Sequence, residues 1–288
     1  MSGPKRQHWV PCAYLQFFAV DANYKGRKST VFFCDGAVSK ASSAEALGAE
    51  KWAYSKINPA VDHLFNVIES DYPKIVRKTL DDKPLTMKEK LGLFLTVFDL
   101  NHRNVAFENK SSKERFDVYR AISRSFIEDF SKEANVAHDD FQGLQDYLVG
   151  TWTVAVVRPE TDEKFITSDY PSIVFTGATK GRPTLAILPA HPSFAFVIFD
   201  NEAFEQVTEQ ISDDALGLLN ALHCNLSIRH IFADHDFSES PEDFESIKVI
   251  MQKEKPERWI DDVQWTTGYI STASPMISKL SFLKRLLD

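Results

Sequence analysis

Leu91-Gly92-Leu93-Phe94-Leu95-Thr96-Val97-Phe98-Asp99-Leu100-Asn101-His102-Arg103 is the stretch on which the reading of this chain turns. Positions 91 to 98 are apolar nearly all round, the mark of a helix buried on most of its sides. Thr86, with Glu89 three residues on, has the spacing of a capping box and sets its start. Upstream, Val61, Leu64, Phe65, Ile68, Tyr72 and Ile75 recur at i, i+3, i+4 steps, with Pro73 placed to kink or split that helix. Downstream, Phe116, Tyr119, Ile122, Phe126, Ile127 and Phe130 share one face of a third helix starting near Ser112. A short fourth, near Asp139 to Leu148, ends at Gly150.

On both flanks the period changes. Beyond Gly150, Thr151–Val157, Phe165–Thr167, Ile173–Phe175, Leu185–Leu188 and Phe194–Phe199 are five β-prone runs punctuated by proline and glycine. One or two helices between Ala203 and Asn225, a returning strand at Ile228–Ala233 and a helix opening at Ser240-Pro241 follow; the tail from Trp259 has no clear period. At the N-terminus, Pro11 leads into a short helix carrying Tyr14, Leu15 and Phe18. Phe17–Asp21 and Ser29–Cys34 then read as a hairpin around Gly26. The expected class is α+β: a helical middle segment packed with a mainly antiparallel β-sheet built from the N-terminal hairpin and the C-terminal half. We read one domain over 1–288, with sub-regions 1–58, 59–149 and 150–288.

The 288 residues are 43% hydrophobic and include 22 Phe, enough for a real core, and the net charge is −8. No apolar run approaches the roughly 20 residues of a membrane-spanning helix, so no membrane role is expected. The start MSGPKRQHWVP has no apolar core of a secretory signal. Three cysteines (Cys12, Cys34, Cys224) without a CxxC spacing argue against a disulfide framework and a structural zinc site. Together these point to a cytoplasmic protein. There is no Walker loop, GxGxxG, HExxH, GxSxG or kinase signature, and glycine is scarce.

Candidate chemistry begins at the end of the buried helix. Asp99 lies three residues before His102 and four before Arg103, so these side chains converge on one face. Buried charge must be paired, so the cluster is either an anion-gripping site at the base of a cleft or a helix end meeting solvent. Arg103 is expected to pair with Glu69 or Asp169. His8 stands at the chain entrance, and Glu69 borders the stripe of Phe65, Ile68 and Tyr72. Ser168 and Asp169 end a strand before Pro171, where they serve equally as site or as turn residues. His223, His230, Asp234, His235 and Asp236 have metal-friendly composition, but His235 between two aspartates in a polar stretch reads more simply as an exposed loop.

The opening His8-Trp9-Val10-Pro11…Tyr14-Leu15…Phe18 and the segment Phe165-Ile166-Thr167-Ser168-Asp169-Tyr170-Pro171 resemble the DUF4238 family of uncharacterised, mostly bacterial proteins. Glu69, Arg103, Leu188-Pro189, Leu219-Asn220 and Arg229 match further positions of it. Tyr170 departs from its Asn, and Asn101-His102 stand where a Gln is usual. The resemblance implies a shared α+β fold and a shared site, without supplying a reaction.

Combining residue types and resemblance, the expected composite site has His8, Glu69 and Asp169 as catalytic groups and Arg103, Ser168 and Asn220 as substrate-binding ones. The first expectation is a hydrolase of nuclease or phosphodiesterase type, cofactor-free or using one divalent metal, with nucleic acid as substrate. The alternative is a non-catalytic binder of a small anionic ligand or protein partner, with an aromatic-lined pocket. A third reading has the same residues bracing helices against sheet. The oligomeric state is left open.

Overall fold

The computed structural model describes residues 6–21, 26–51, 53, 65–66, 68–109, 114–137, 139–176, 183–203, 209–252, 263–264 and 269–271. The buried helix of the sequence reading is α3 (Met87–Asn109), which follows α1 (Cys12–Leu15) and α2 (Tyr72–Leu80). Its capping box forms: the Thr86 N–H and hydroxyl donate to Glu89 Oε2 at 2.6 and 2.8 Å, and Glu89 N–H returns to Thr86 Oγ1 at 3.4 Å. Pro73 splits the preceding helical pattern. Residues 65, 66, 68 and 69 are helical, a turn intervenes, and α2 begins with Pro73 in its first turn. Then come α4 (Arg115–Ala134) and α5 (Phe141–Thr151), the latter capped by Asp140, which accepts from Gly143 N–H.

The fold is α+β, with the helical middle lying against sheets drawn from both ends of the chain. The larger sheet has the order β10 (Gln210–Ile211), β5 (Trp152–Pro159), β9 (Phe194–Asp200), β8 (Pro183–His191), β7 (Ile173–Thr176), β13 (Tyr269–Ser271), β12 (Val263–Gln264). It is antiparallel except at β10–β5 and β13–β7. Its central strands β8 and β9 are buried almost throughout, so they read as continuous apolar runs covered on both faces. The period of two divides them. Ala186, Leu188, Phe196 and Ile198 pack with Phe94, Phe98 and Trp152 on the helical side. Leu185, Ile187, Val197 and Phe199 pack with Leu216, Leu219 and Leu222 of α6 (Asp213–Leu226) on the other.

A four-stranded antiparallel sheet runs β3 (Ser39–Ser43), β2 (Thr30–Cys34), β11 (Ile231–Ala233), β6 (Thr167–Ser168), and α7 (Pro241–Gln252) packs Met251, Phe244 and Ile247 against it. The hairpin thus lies one segment later than its expected position. Gln16–Phe18 is a single 3-10 turn with one bridge, Ala19 to Val31, and the true partner of β2 is β3. A third, two-stranded ribbon joins β1 (Arg6–His8) to β4 (Ala49–Lys51).

Tyr14 ties these parts together. Its hydroxyl donates to the Pro189 carbonyl at 2.6 Å, which spends its one proton, so Thr167 is the donor in their 2.6 Å contact. One phenol therefore joins α1 to a strand of each main sheet. No helix among the described residues is long and apolar enough to cross a membrane.

The ribbon depends on Gly48, whose carbonyl accepts the N–H groups of both Trp9 and Val10 at 3.0 and 3.2 Å. Its φ is +57°, and an added Cβ would stand 2.7 Å from Val10 Cβ. Gly48→Ala should cost on the order of 2–4 kcal/mol in urea unfolding, combining left-handed backbone strain with overpacking. A loss below about 0.5 kcal/mol, the range of an ordinary surface substitution, would contradict this.

Candidate functional site

Asp99, Arg103 and Phe107 follow at four-residue steps along α3, one row on one face. Arg115, Tyr119 and Ser123 make the same row on α4. The helices run antiparallel, because Phe107 meets Arg115 at one end while His102 meets Ser123 at the other. Two rows rich in polar groups thus face each other inside the helical layer.

Arg103 is fully buried. Its Nη1 is 2.5 Å from Glu69 Oε1 and its Nη2 is 2.5 Å from Asp99 Oδ2, and these carboxylate side chains are 17% and 4% exposed. Its guanidinium carbon lies 3.5 Å from the Phe65 ring centroid, and Tyr119 donates to the other oxygen of Asp99 at 2.7 Å. Of the two carboxylates expected for Arg103, Glu69 meets it, and Asp99 supplies the second.

One residue before Arg103, His102 places Nδ1 3.1 Å from Ser123 Oγ, with its ring edge-on to Phe126. Burial pushes its pKa down to about 3, so it is neutral at pH 7. Beside this network lies a cavity of about 770 Å³, with an apolar wall that includes Leu95, Phe98 and Phe126, polar groups from Asp99, His102, Tyr119 and Ser123, and charged side chains of both signs at its rim, Arg120 and Arg124 with Asp117 and Glu128. Leu95, 46% exposed, is the one exposed side chain of the 91–98 run, and it faces this space.

The other expected site residues make contacts of their own. His8 Nε2 is 3.2 Å from Cys12 Sγ and 3.3 Å from the Glu45 carbonyl. Burial raises the Cys12 thiol to about 11, with Glu69 adding to the effect, so Cys12 is no thiolate at neutral pH. Both Asp169 oxygens are taken up by the backbone: the N–H groups of Ile228, Arg229 and His230 donate at 2.7, 2.7 and 3.1 Å. Burial lifts its pKa to about 6 while those three donors pull it back. Ser168 closes a turn with Tyr170, donating to its carbonyl and accepting its N–H, both at 3.0 Å. Asn220 accepts from Ile166 N–H and donates to the Lys164 carbonyl, pinning α6 to the strand entrance. It also borders a second, acid-lined groove of about 1000 Å³ between α6 and α7.

Among the described residues no group of three or more His, Cys, Asp or Glu side chains could hold a metal ion. Asp234 instead accepts from Lys164 and pairs with His235, and Asp236 caps a 3-10 turn. Sequence reasoning did not single out Tyr119 and Ser123, which it placed on an apolar helix face or passed over. The signal lay in the four-residue spacing of 115, 119 and 123, which mirrors 99, 103 and 107.

The model of the family described as "Protein of unknown function (DUF4238)" matches residues 6–237. No curated protein and no solved structure matches the chain.

Removing the guanidinium leaves two carboxylates facing each other in a largely dry site. Arg103→Ala should cost on the order of 3–5 kcal/mol in urea unfolding, and Arg103→Lys should recover only part, because one ammonium lacks the fork that spans Glu69 and Asp99. An Arg103→Ala protein as stable as the parent would refute the pairing.

His102 carries a pH signature. Its ordinary pKa is 6.5 and its folded value about 3, so between them the unfolded chain holds a proton that the folded chain does not. Stability should therefore fall as pH drops through that window, by up to about 1.4 kcal/mol per pH unit from this group. His102→Asn lacks that loss, so the stability gap between parent and variant should narrow from pH 7 to pH 4.5. A gap that stays constant would show that His102 titrates normally.

Proposed function

The chain belongs to the DUF4238 family, and from that premise and the site geometry we propose that it binds a small amphiphilic anion in the cavity between α3 and α4. The observation that carries this reading is the division of that cavity. Leu95, Phe98 and Phe126 offer an apolar wall, and His102, Tyr119 and Ser123 offer hydrogen-bonding groups on one strip. At the rim the exposed Arg120 offers a cation, while Arg124 is paired with Glu128 at 2.9 Å and Asp117 also lines the space. A volume near 770 Å³ suits a small organic molecule, and a mostly apolar wall with few polar anchors is how such sites are built. Because His102 is neutral, it accepts or donates a hydrogen bond without attracting charge, which leaves anion recognition to Arg120.

Binding is favoured over hydrolysis because the carboxylates that hydrolysis would draw on are occupied. Glu69 and Asp99 grip Arg103, and Asp169 holds three backbone N–H groups. One observation supports a hydrolytic reading: Ser123 Oγ lies within hydrogen-bond reach of His102 Nδ1, as a nucleophile and base would. The test separates the two. Anilinonaphthalene sulfonate, an aromatic anion, should bind the folded protein at one site. Ala121→Trp, at an exposed position lining the cavity, should weaken it at least about tenfold, equivalent to about 1.4 kcal/mol, without lowering the unfolding midpoint. Unchanged affinity in that variant would overturn the assignment. Turnover of a nitrophenyl ester that is lost in Ser123→Ala would instead favour the hydrolase.

A further inference from the structure

The cavity between α3 and α4 has unlike ends, and the order of contacts along the two helices sets them apart. His102 meets Ser123 at 3.1 Å, Phe98 meets Phe126 with ring centroids 4.6 Å apart, and Phe94 meets Phe130 at 5.9 Å. Going back along α3 is therefore going forward along α4. One end of the cavity is polar, with His102, Ser123 and the exposed Arg120. The other is apolar, with Leu95, Phe98 and Ile127 of the same two helices and Phe141 of α5, which begins shortly after α4 ends. From Arg120 to Ile127 the α4 axis advances about 10 Å.

Charge and exposure decide what each end can hold. No carboxylate pairs with Arg120 among the described residues, and its guanidinium carbon stands 5.7 Å from the Phe116 centroid. Asp117, exposed one turn before it on the same helix, bounds that end with a negative charge, so the end takes one anionic group beside Arg120 and repels a second. Further along, Arg124 and Glu128 pair with each other at 2.9 Å and neutralise one another. What remains at the far end is bare apolar surface. Phe141 is 70% exposed, the most exposed large apolar side chain among the described residues, and Leu95 is 46% exposed. Single exposed apolar side chains are ordinary, but two on the lip of one cavity form a patch that the apolar end of a ligand would cover.

We propose that the ligand of this cavity is a straight-chain monoanion of the medium-chain carboxylate class, laid along α4 with its head at Arg120 and its tail against Leu95 and Phe141. The inference rests on the binding function proposed above and narrows its ligand. Octanoate, extended, spans the distance between the two ends. A shorter anion such as butyrate reaches only the polar end. A dicarboxylate of the same length brings its second charge to the apolar end, where the nearest cation, Arg124, is already paired. Selectivity for one charge thus follows from Asp117 and the closed Arg124–Glu128 pair, and selectivity for length from the separation of Arg120 and Phe141.

The test is calorimetric titration of the full chain with butyrate, octanoate and octanedioate. Octanoate should bind at least about tenfold more tightly than either of the others. Phe141→Ser and Leu95→Asn, both at exposed positions, should weaken octanoate at least about fivefold and narrow its advantage over butyrate, without lowering the unfolding midpoint. Arg120→Gln should weaken octanoate by a similar factor and leave uncharged octanol within about twofold. Butyrate or octanedioate binding as tightly as octanoate, or full octanoate affinity in both Phe141→Ser and Leu95→Asn, would overturn the proposal. A dye site blocked by Ala121→Trp in a protein that takes no octanoate would also overturn it, while leaving the binding function standing. A dye site indifferent to Ala121→Trp would remove both.

Discussion

A guanidinium with no exposure to solvent has to be neutralised where it stands, because it stays protonated at any accessible pH. Arg103 meets that demand with two carboxylates, an aromatic face and the geometry of a fork. Asp99 comes from its own helix, one turn back, Glu69 from the helical residues before α2, and Phe65 from the same stretch. Tyr119 of α4 then satisfies the second oxygen of Asp99. Three separate segments are thereby fixed around one cation, and the positions of His102 and Phe107 on the same helix follow from it. The cost of burying these charges makes the cluster weak evidence for stability and strong evidence for a single arrangement.

Asp169 answers a similar demand by other means. Its carboxylate has no cation as a direct partner and collects three consecutive backbone donors instead. Ser168 beside it closes a local turn, and Thr167 before it bonds to Tyr14. The Thr-Ser-Asp segment is therefore a joint, with each side chain holding a different piece of backbone or phenol. Its value to the molecule is positional: it determines where β11 begins and where Arg229 projects.

These differences mark what could be read from the residues alone. Thr86 with Glu89, Pro73, and the apolar run of 91–98 each act through local geometry, and each stands in the fold where its pattern puts it. Arg103 with Glu69 was legible because a cation inside an apolar helix requires a partner. Asp169 was not, since a carboxylate that binds backbone N–H groups looks the same in sequence as one that binds a ligand. The hairpin shifted because Ser39–Ser43 is polar and nowhere buried, with no apolar alternation to reveal a strand, while Phe17 and Phe18 imitate one. Tyr269–Ser271 joins the large sheet in parallel with β7, a pairing that its own short sequence cannot specify.

The facing rows of α3 and α4 join these threads. Arg115 stands against Phe107, Tyr119 against Asp99, and Ser123 against His102. Apolar rows of phenylalanine and leucine could pack at more than one register, since ridges and grooves recur every few residues along a helix. Rows carrying one buried cation, its carboxylates and their donors cannot slide, because any shift by a turn leaves charge without a partner. In a chain with 22 Phe, the polar seam is what singles out one packing from the several that hydrophobic burial alone would permit. The same seam holds His102 and Ser123 against the cavity at one end and Arg115 against Glu50 at the other, so the two clusters share a rigid frame rather than a flexible loop.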